Sequence, residues 1–131
     1  MAGNNERIHF LGPINDADLP ALYSGALAFA FVSEYEGFGL PPLEAMACGT
    51  PVIVSNAASL PEVVGDAGLL IAPEDVSGWA AALLRVWNDA AYRAELADRG
   101  RRQAARFTWL ETARQIMSAY RLVQTFRPAG K

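Results

Sequence analysis

The stretch "SEYEGFGLPPLEAMACGTPVIVS", Ser33 to Ser55, decides the fold. An apolar run, "ALAFAFV" (26–32), precedes it, and the run "PVIV" lies near its end. The first run is apolar on both faces, which is typical of a central parallel strand, and the second predicts another buried strand. Between them, "LPPLEAMACG" predicts a helix, because prolines are tolerated in a first helical turn and Gly49 suits a C-terminal cap. Strand, helix, strand predicts a parallel sheet with right-handed crossovers and helices on its faces.

The same alternation continues on both sides of this stretch. "RIHFLG" (7–12) predicts a short strand, and "NDADLPALYSGA" (15–26) predicts a helix with its apolar residues at helical spacing. "SLPE" (59–62) matches the capping-box pattern, so we expect a short helix that ends near Gly65. "GLLIA" (68–72) predicts a further strand, because an apolar run is followed directly by proline.

The rest of the chain reads as helical. Asp75 or Ser77 is the expected cap of a helix in 75–89, a second helix follows it, and Thr108 caps a third. The tail "RPAGK" (127–131) is expected to be frayed. We expect the apolar stripes of these helices to face the core or another domain: Trp79, Leu83, Val86, Trp87, Tyr92, Leu96, Trp109, Ala113, Ile116, Met117 and Tyr120.

Length and composition indicate a single globular unit. The chain has 131 residues, of which 52% are hydrophobic and 19% charged, which is enough for one core with a buried sheet. The longest apolar run is too short to span a bilayer, and residues 1–10 lack the layout of a signal peptide. One cysteine cannot form an internal disulfide, so a reducing, cytoplasmic setting is expected.

Charge is divided unevenly along the chain. Residues 1–72 carry eight acids and one base, whereas residues 73–131 carry six acids and ten bases. The arginines of the second half alternate with acids along predicted helices, which is typical of solvated helix faces. We therefore do not expect a nucleic-acid partner.

The loop "SEYEGFGL" (33–40) is the candidate site. In open α/β sheets, ligands bind where strands end and helices begin. Two glycines let the backbone approach a ligand, and the N–H groups before the helix suit phosphate. Pro41 and Pro42 have no N–H, so Phe38, Gly39 and Leu40 would be the donors. Carboxylates such as Glu36 and Glu44 accept hydrogen bonds from sugar hydroxyls. The alternative is a plain glycine-proline turn with two unrelated acids.

Other reactive residue types have simpler interpretations. His9 lies in the predicted first strand without an acid or cysteine partner and is expected to be structural. Cys48 is expected to be a small core residue. Ser33 has no nearby base, and Glu62 is expected to be a cap. No spacing of histidines and cysteines indicates a metal site.

This segment resembles the E-x7-E region of retaining glycosyltransferases with the GT-B fold, here Glu36, "GFGLPPL", Glu44. The resemblance continues through "EAMACGTPVIVSNAASLPEVVGDAGLLIAPED" and covers about residues 8–123. It implies an incomplete C-terminal GT-B domain over residues 1–131, with a Rossmann-like parallel sheet, flanking helices and extra C-terminal helices. That domain is the donor-binding part of an enzyme that transfers a hexose from a nucleoside diphosphate sugar to an acceptor, with retention and without a metal cofactor.

The resemblance also implies roles for individual residues. Glu44 would hold the ribose hydroxyls, and Glu36, the catalytic candidate, would contact the transferred sugar. The backbone N–H groups of four residues would meet the sugar and the diphosphate, and the turn with Pro13 and Ile14 would lie by the base. Those four residues are Gly37, Phe38, Gly39 and Leu40.

The resemblance further implies what this chain lacks. An N-terminal acceptor domain is missing, as is the basic pair that neutralises the diphosphate, since no lysine or arginine lies between Arg7 and Arg85. We therefore expect the isolated fragment to be inactive, while the full enzyme is compatible with peripheral membrane association. Exposed strand edges predict a homodimer, segment swapping or re-pairing of the first strand. The alternatives are a non-catalytic nucleotide-sugar-binding or scaffold module, and a folding fragment without a ligand.

Overall fold

A computed structural model describes residues 7–125 of the chain. The predicted tail at 127–131 lies outside the described residues. The elements follow one another as α1 (Leu19–Gly25), β1 (Phe29–Phe31), α2 (Leu40–Ala47), β2 (Val52–Ser55), α3 (Leu60–Val64), β3 (Leu69–Ile71), α4 (Val76–Asn88), α5 (Ala90–Ala104) and α6 (Trp109–Thr125).

The three strands in the described part of the chain form one parallel sheet in the order β1-β2-β3. Phe29 lies opposite Val52 in the first pair, and Ile53 lies opposite Leu69 in the second. β2 is buried along its whole length, whereas β1 is shorter than the apolar run 26–32 and lies at the edge of the sheet. The prediction of a central strand at 26–32 is therefore wrong. The expectation that this strand exposes an edge is confirmed for the described residues.

The core lies on both faces of β2. Val52 and Val54 face one side and pack with residues such as Met46 of α2, in a cluster that α1, α3 and α5 complete. Ile53 faces the other side and packs with Trp79 and further residues of α4 and α5. Because successive strand residues point to opposite faces, one four-residue strand serves both layers. Helices on both faces of a parallel sheet make the fold α/β and Rossmann-like.

The segment 7–12 forms no strand, and that prediction is wrong. Its side chains are exposed, Phe10 at 94%, and His9 is exposed with them. A strand needs a neighbour that pairs its N–H and C=O groups. No strand among residues 7–125 lies beside this segment, so its apolar composition alone does not produce one.

The helical stripes are covered only in part. Trp79 and Val86 are buried, but Trp87 on the same helix is 68% exposed. On α6, Trp109 is 85% exposed. One group of positions does not face the core of residues 7–125, because no described element covers those sides of the helices, and the alternative that they face another domain stays a prediction. These positions are Leu83, Trp87, Trp109, Ala113, Ile116, Met117 and Tyr120.

The predicted helix ends agree with the structure at three places. Asp75, and not Ser77, caps α4, because its Oδ1 accepts the N–H of Gly78 at 2.9 Å. Thr108 caps α6, accepting the N–H of Glu111 at 3.1 Å. Gly49 follows the C-cap of α2 with φ +79°, a conformation that suits glycine.

Several arginines of the second half contact residues of their own helix or of the helix beside it. Arg93 Nη1 donates to the carbonyl of Val86 at 2.8 Å, near the end of α4. Arg99 forms an ion pair with Glu95 one turn away, and both side chains are solvent-exposed. Such contacts are typical of solvated helix faces. Within residues 7–125, no helix has the length and apolar character that crossing a membrane requires.

Candidate functional site

The loop 32–39 leaves the carboxyl end of β1 and leads into α2. The Ser33 N–H donates to Ser55 Oγ at 3.0 Å. Ser55 is the last residue of β2 and is fully buried. The loop therefore begins at a point that is hydrogen-bonded to the end of the central strand, which is where α/β sheets bind ligands.

Glu36 lies in the middle of the loop and is half-buried. Ser33 Oγ donates to Glu36 Oε1 at 3.0 Å and lies 3.2 Å from the carbonyl of Tyr35. A hydroxyl bond to one carboxylate oxygen leaves acceptor capacity on both oxygens, because each carries two lone pairs. Ser33 thus holds this carboxylate near the end of β1 without saturating it.

Ser59 contacts the same loop from the start of α3. Its Oγ lies 2.9 Å from the carbonyl oxygen of Glu36 and 2.8 Å from that of Phe38, and it makes no capping bond to its own helix. The predicted capping box at 59–62 is therefore wrong. The physical reason is the backbone of Ser59, which has helical angles of φ −80° and ψ −13°, whereas a residue that caps through its side chain has an extended backbone.

Gly39 is the residue at which the loop turns into α2. It is buried, with φ +109° and ψ +50°, and a Cβ at this position would lie 2.8 Å from Leu60 Cδ2. Only glycine combines that dihedral angle with so close a neighbour. Phe38 beside it packs edge-to-face on Phe107, with ring centroids 5.8 Å apart. The loop therefore packs against residues from two other parts of the fold.

The amide groups of this loop are available. In the described part of the chain, none of the N–H groups of Gly37, Phe38, Gly39 and Leu40 donates a hydrogen bond. Pro41 and Pro42 carry no N–H, and the next donor, Leu43, bonds to Gly39 O at 3.4 Å. Consecutive free donors before a helix provide a site for an anion.

Glu44 lies one turn into α2 and is exposed. The Tyr23 hydroxyl donates to Glu44 Oε2 at 3.4 Å. Burial raises the pKa of Tyr23, and the neighbouring charge of Glu44 raises that pKa further. Tyr23 is held in turn by the hydroxyl of Thr50, which donates to its carbonyl at 2.6 Å. Glu44 therefore has a hydroxyl partner supplied by α1.

The structure brings some predicted residues together and not others. Glu36 and residues 37–40 belong to one hydrogen-bonded loop, and Glu44 follows on the helix that the loop begins. Pro13 is exposed and Ile14 half-buried before α1, and no hydrogen bond of the described residues joins either to the loop.

Sequence analysis missed Ser59, Ser33 and Tyr23 as partners of the site residues. The sequence pattern places Tyr23 among the apolar positions of the helix predicted at 15–26. It shows Ser33 only as a serine without a nearby base. Ser59 was assigned to its own helix. The bonds of Tyr23 and Ser59 join different elements, so neither residue carries a local signal for its contact. The bond from Ser33 to Glu36 spans a turn of the loop, whose shape the sequence pattern does not give.

Two clefts of the described surface lie away from the loop. A mainly apolar cleft of about 390 Å³ lies between the approach to β1 and α4, lined by Leu27, Ala28, Leu83, Leu84, Val86 and Trp87. A second, of about 330 Å³, lies against α5 and includes Arg93. Neither contains a predicted site residue, so the candidate site is an open loop at the edge of the fold.

Comparison with known proteins identifies the family. Residues 1–103 match the model for "Glycosyl transferases group 1". The chain is 49% identical to the O-antigen chain mannosyltransferase B of Escherichia coli over 116 residues, which are 88% of this chain and 30% of the relative. It is 41% identical to a D-inositol 3-phosphate glycosyltransferase of Salinispora tropica, over 90% of this chain and 25% of the relative.

A solved structure supports the same assignment. Sucrose-phosphate synthase from Thermosynechococcus elongatus superposes with a TM-score of 0.82 at 36% identity, over 94% of this chain and 32% of that one. The chain thus spans about a third or less of the length of each of these proteins. Its α/β, Rossmann-like fold and its sequence both place it in one family, and the chain belongs to the group 1 glycosyl transferases.

Proposed function

We propose that this chain is the donor-binding part of a retaining hexosyltransferase. The whole enzyme moves a hexose from a nucleoside diphosphate sugar to an acceptor. The observation that carries the proposal is the glutamate loop of a group 1 glycosyl transferase, with free N–H groups at residues 37–40 between Glu36 and Glu44. Free amides suit the diphosphate, and carboxylates suit sugar hydroxyls.

Each acid has a distinct task in this proposal. Glu44 is exposed, and its Oε1 has no hydrogen-bond partner within residues 7–125, so it accepts hydrogen bonds from the ribose hydroxyls. Glu36, the catalytic candidate, contacts the hydroxyls of the transferred sugar with a carboxylate that Ser33 orients. Pro13 and Ile14 lie beside the base. The sugar nucleotide is a substrate, and the proposal includes no metal or other cofactor.

The leaving group sets the chemical requirement. Cleavage of the bond between sugar and diphosphate places negative charge on the diphosphate, and that charge must be stabilised in the transition state. The loop amides contribute part of this charge stabilisation. Arg85 lies over the ring of Tyr92, and the bonds that Arg93, Arg99 and Arg101 make among the described residues do not reach the loop. We therefore expect no useful turnover from this chain alone, and we expect the acceptor to bind to a further domain.

A second candidate function follows from the same lack of cations. The chain would then be a non-catalytic nucleotide-sugar-binding or scaffold module that pairs with another chain through the open edge of β1. A homodimer through that edge is one form of such pairing. Light scattering distinguishes a monomer from a dimer directly. We expect a cytoplasmic location for either function.

The test is calorimetric titration of the purified chain with UDP, GDP and their glucose and mannose conjugates. We expect binding of one nucleotide series, and about ten- to a hundredfold weaker binding for Glu44→Ala, since hydrogen bonds to charged groups contribute about 1.5–3 kcal/mol. Glu95→Ala is the matched control, because Glu95 forms only an exposed ion pair on α5.

Three results would contradict parts of the proposal. A folded wild-type chain that binds none of these ligands would refute donor binding. Unchanged affinity in Glu44→Ala would refute the role of that residue alone. Normal turnover by the isolated chain would refute the expected inactivity. Retention is tested on the whole enzyme, by NMR of the anomeric configuration of the product before it equilibrates.

A further inference from the structure

We propose that Ser59 is a positioning residue that directs the N–H groups of Gly37 and Gly39 toward the diphosphate. This inference rests on the proposed function, because it concerns the same loop. It differs from the role of a helix cap, which the sequence of residues 59–62 predicts for this serine. The hydroxyl instead serves the loop that leads into α2.

The first step is the contact itself. Ser59 Oγ lies within hydrogen-bond distance of two carbonyl oxygens, that of Glu36 at 2.9 Å and that of Phe38 at 2.8 Å. Both distances lie in the usual range for a hydroxyl donor. A serine hydroxyl has one proton, so the two carbonyls share it. Both carbonyls must therefore point toward the start of α3.

The second step is the geometry of the peptide bond. In a planar trans peptide, a carbonyl and the N–H of the following residue point in opposite directions. Residues 7–125 contain no cis peptide bond. When the carbonyls of Glu36 and Phe38 face Ser59, the N–H groups of Gly37 and Gly39 must face away from it. Neither N–H donates a hydrogen bond to any described residue, so both remain available for a ligand.

The third step is that Ser59 is itself held firmly. The next residue, Leu60, is fully buried in the core at the start of α3. Leu60 Cδ2 also occupies the space where a Cβ of Gly39 would lie. Ser59 and Leu60 thus hold one side of the loop in place. Ser59 bonds to two loop carbonyls, and Leu60 packs against Gly39. The amides on the opposite side are preorganised, which reduces the entropy lost on binding.

The test compares ligands with and without the diphosphate. Wild type, Ser59→Ala and Ser59→Thr are titrated with UDP, GDP, uridine, guanosine and inorganic diphosphate. NMR spectra record the amide signals of the two loop glycines. Ser77→Ala is the matched control, because that exposed serine bonds only to Asp75.

We expect Ser59→Ala to bind the nucleoside diphosphate and inorganic diphosphate about tenfold more weakly. This is the effect of losing about one hydrogen bond, because the two N–H groups are no longer held toward the diphosphate. Binding of the nucleoside should not change, because its proposed contacts lie at Glu44 and near Pro13. The changes in NMR chemical shift of the Gly37 and Gly39 amides on adding diphosphate should be smaller in this variant than in wild type. Ser59→Thr keeps the hydroxyl and should restore both affinity and shifts, while Ser77→Ala should match wild type.

The outcomes separate this inference from the function on which it rests. If a folded wild-type chain binds no ligand, the proposed function fails, and the role of Ser59 fails with it. If wild type binds and Ser59→Ala binds equally well, or loses nucleoside and diphosphate affinity alike, only the positioning role is refuted. If Ser59→Ala does not fold, Ser59→Thr and Ser59→Val replace it as a pair of equal shape that differs in the hydroxyl.

Discussion

Gly39 gives a sharp test of how the loop is built. Substitution by alanine places a Cβ 2.8 Å from Leu60 Cδ2, a distance shorter than any ordinary contact between carbon atoms. Leu60 is completely buried in a close-packed core, so its side chain can turn away only by displacing its neighbours. The backbone is also held at φ +109°, where an L-residue is strained.

Two costs and one gain set the expected magnitude for Gly39→Ala. Backbone strain costs about 1–2 kcal/mol, and overpacking costs about 1–3 kcal/mol. Alanine has less conformational freedom than glycine in the unfolded chain, which stabilises the folded state by about 0.4–1 kcal/mol. We therefore expect the free energy of unfolding to fall by about 1–4.6 kcal/mol, a large share of the roughly 5–15 kcal/mol of an ordinary domain.

Gly37→Ala is the matched control two residues away. A Cβ there would have no atom within 4 Å, and its φ is not positive. We expect a change within about 0.5 kcal/mol. The assay is urea unfolding followed by circular dichroism and by tryptophan fluorescence. If Gly39→Ala were no more destabilising than Gly37→Ala, neither the packing of Leu60 nor the backbone angle would constrain the loop as described.

Three further predictions concern the supporting fold. Trp79→Ala should lower the free energy of unfolding by about 3–5 kcal/mol, because the Trp79 side chain is buried. Trp87→Ala should change it by less than about 1 kcal/mol, because the Trp87 side chain is exposed. Equal losses of the two variants in urea unfolding would contradict this. The bond from the Gly78 N–H lowers the pKa of Asp75 below its ordinary 3.8, so its stabilisation is present above that value and is lost as the pH falls through the lower pKa of the folded state. The difference in thermal midpoint between wild type and Asp75→Asn should therefore shrink in acid, and a constant difference would count against it. Burial raises the pKa of Tyr23, so one tyrosine should ionise at higher pH than the others in a phenolate absorbance titration, and Tyr23→Phe should remove that step; its persistence in the variant would assign it elsewhere.

Much of the fold could be predicted from local sequence. Proline and glycine mark both ends of α2, and the apolar run "PVIV" predicts the buried strand β2. These signals act within a few residues of the structure that they specify, because backbone dihedral angles and missing N–H groups are local properties. The same holds for Asp75 and Thr108, whose side chains reach only their own first helical turns.

Predictions that required a neighbour were less successful. The apolar segment 7–12 forms no strand, and the stripe that includes Trp87 and Trp109 is largely exposed. Helical spacing shows which residues share a face, but it does not show whether another element covers that face. A strand likewise exists only where a second strand pairs with it.

Local sequence is enough to show that this chain is α/β, that Glu36 and Glu44 bracket a glycine loop, and which family its motif resembles. Where the hydroxyls bond depends on how distant segments pack. Residues 59–62 match a capping box, but the Ser59 hydroxyl donates its proton to the loop carbonyls, two elements earlier in the chain. Tyr23 reaches Glu44 because α1 packs beside α2. A hydroxyl has few bonds and many acceptors within reach, so only the packing of distant segments selects among them.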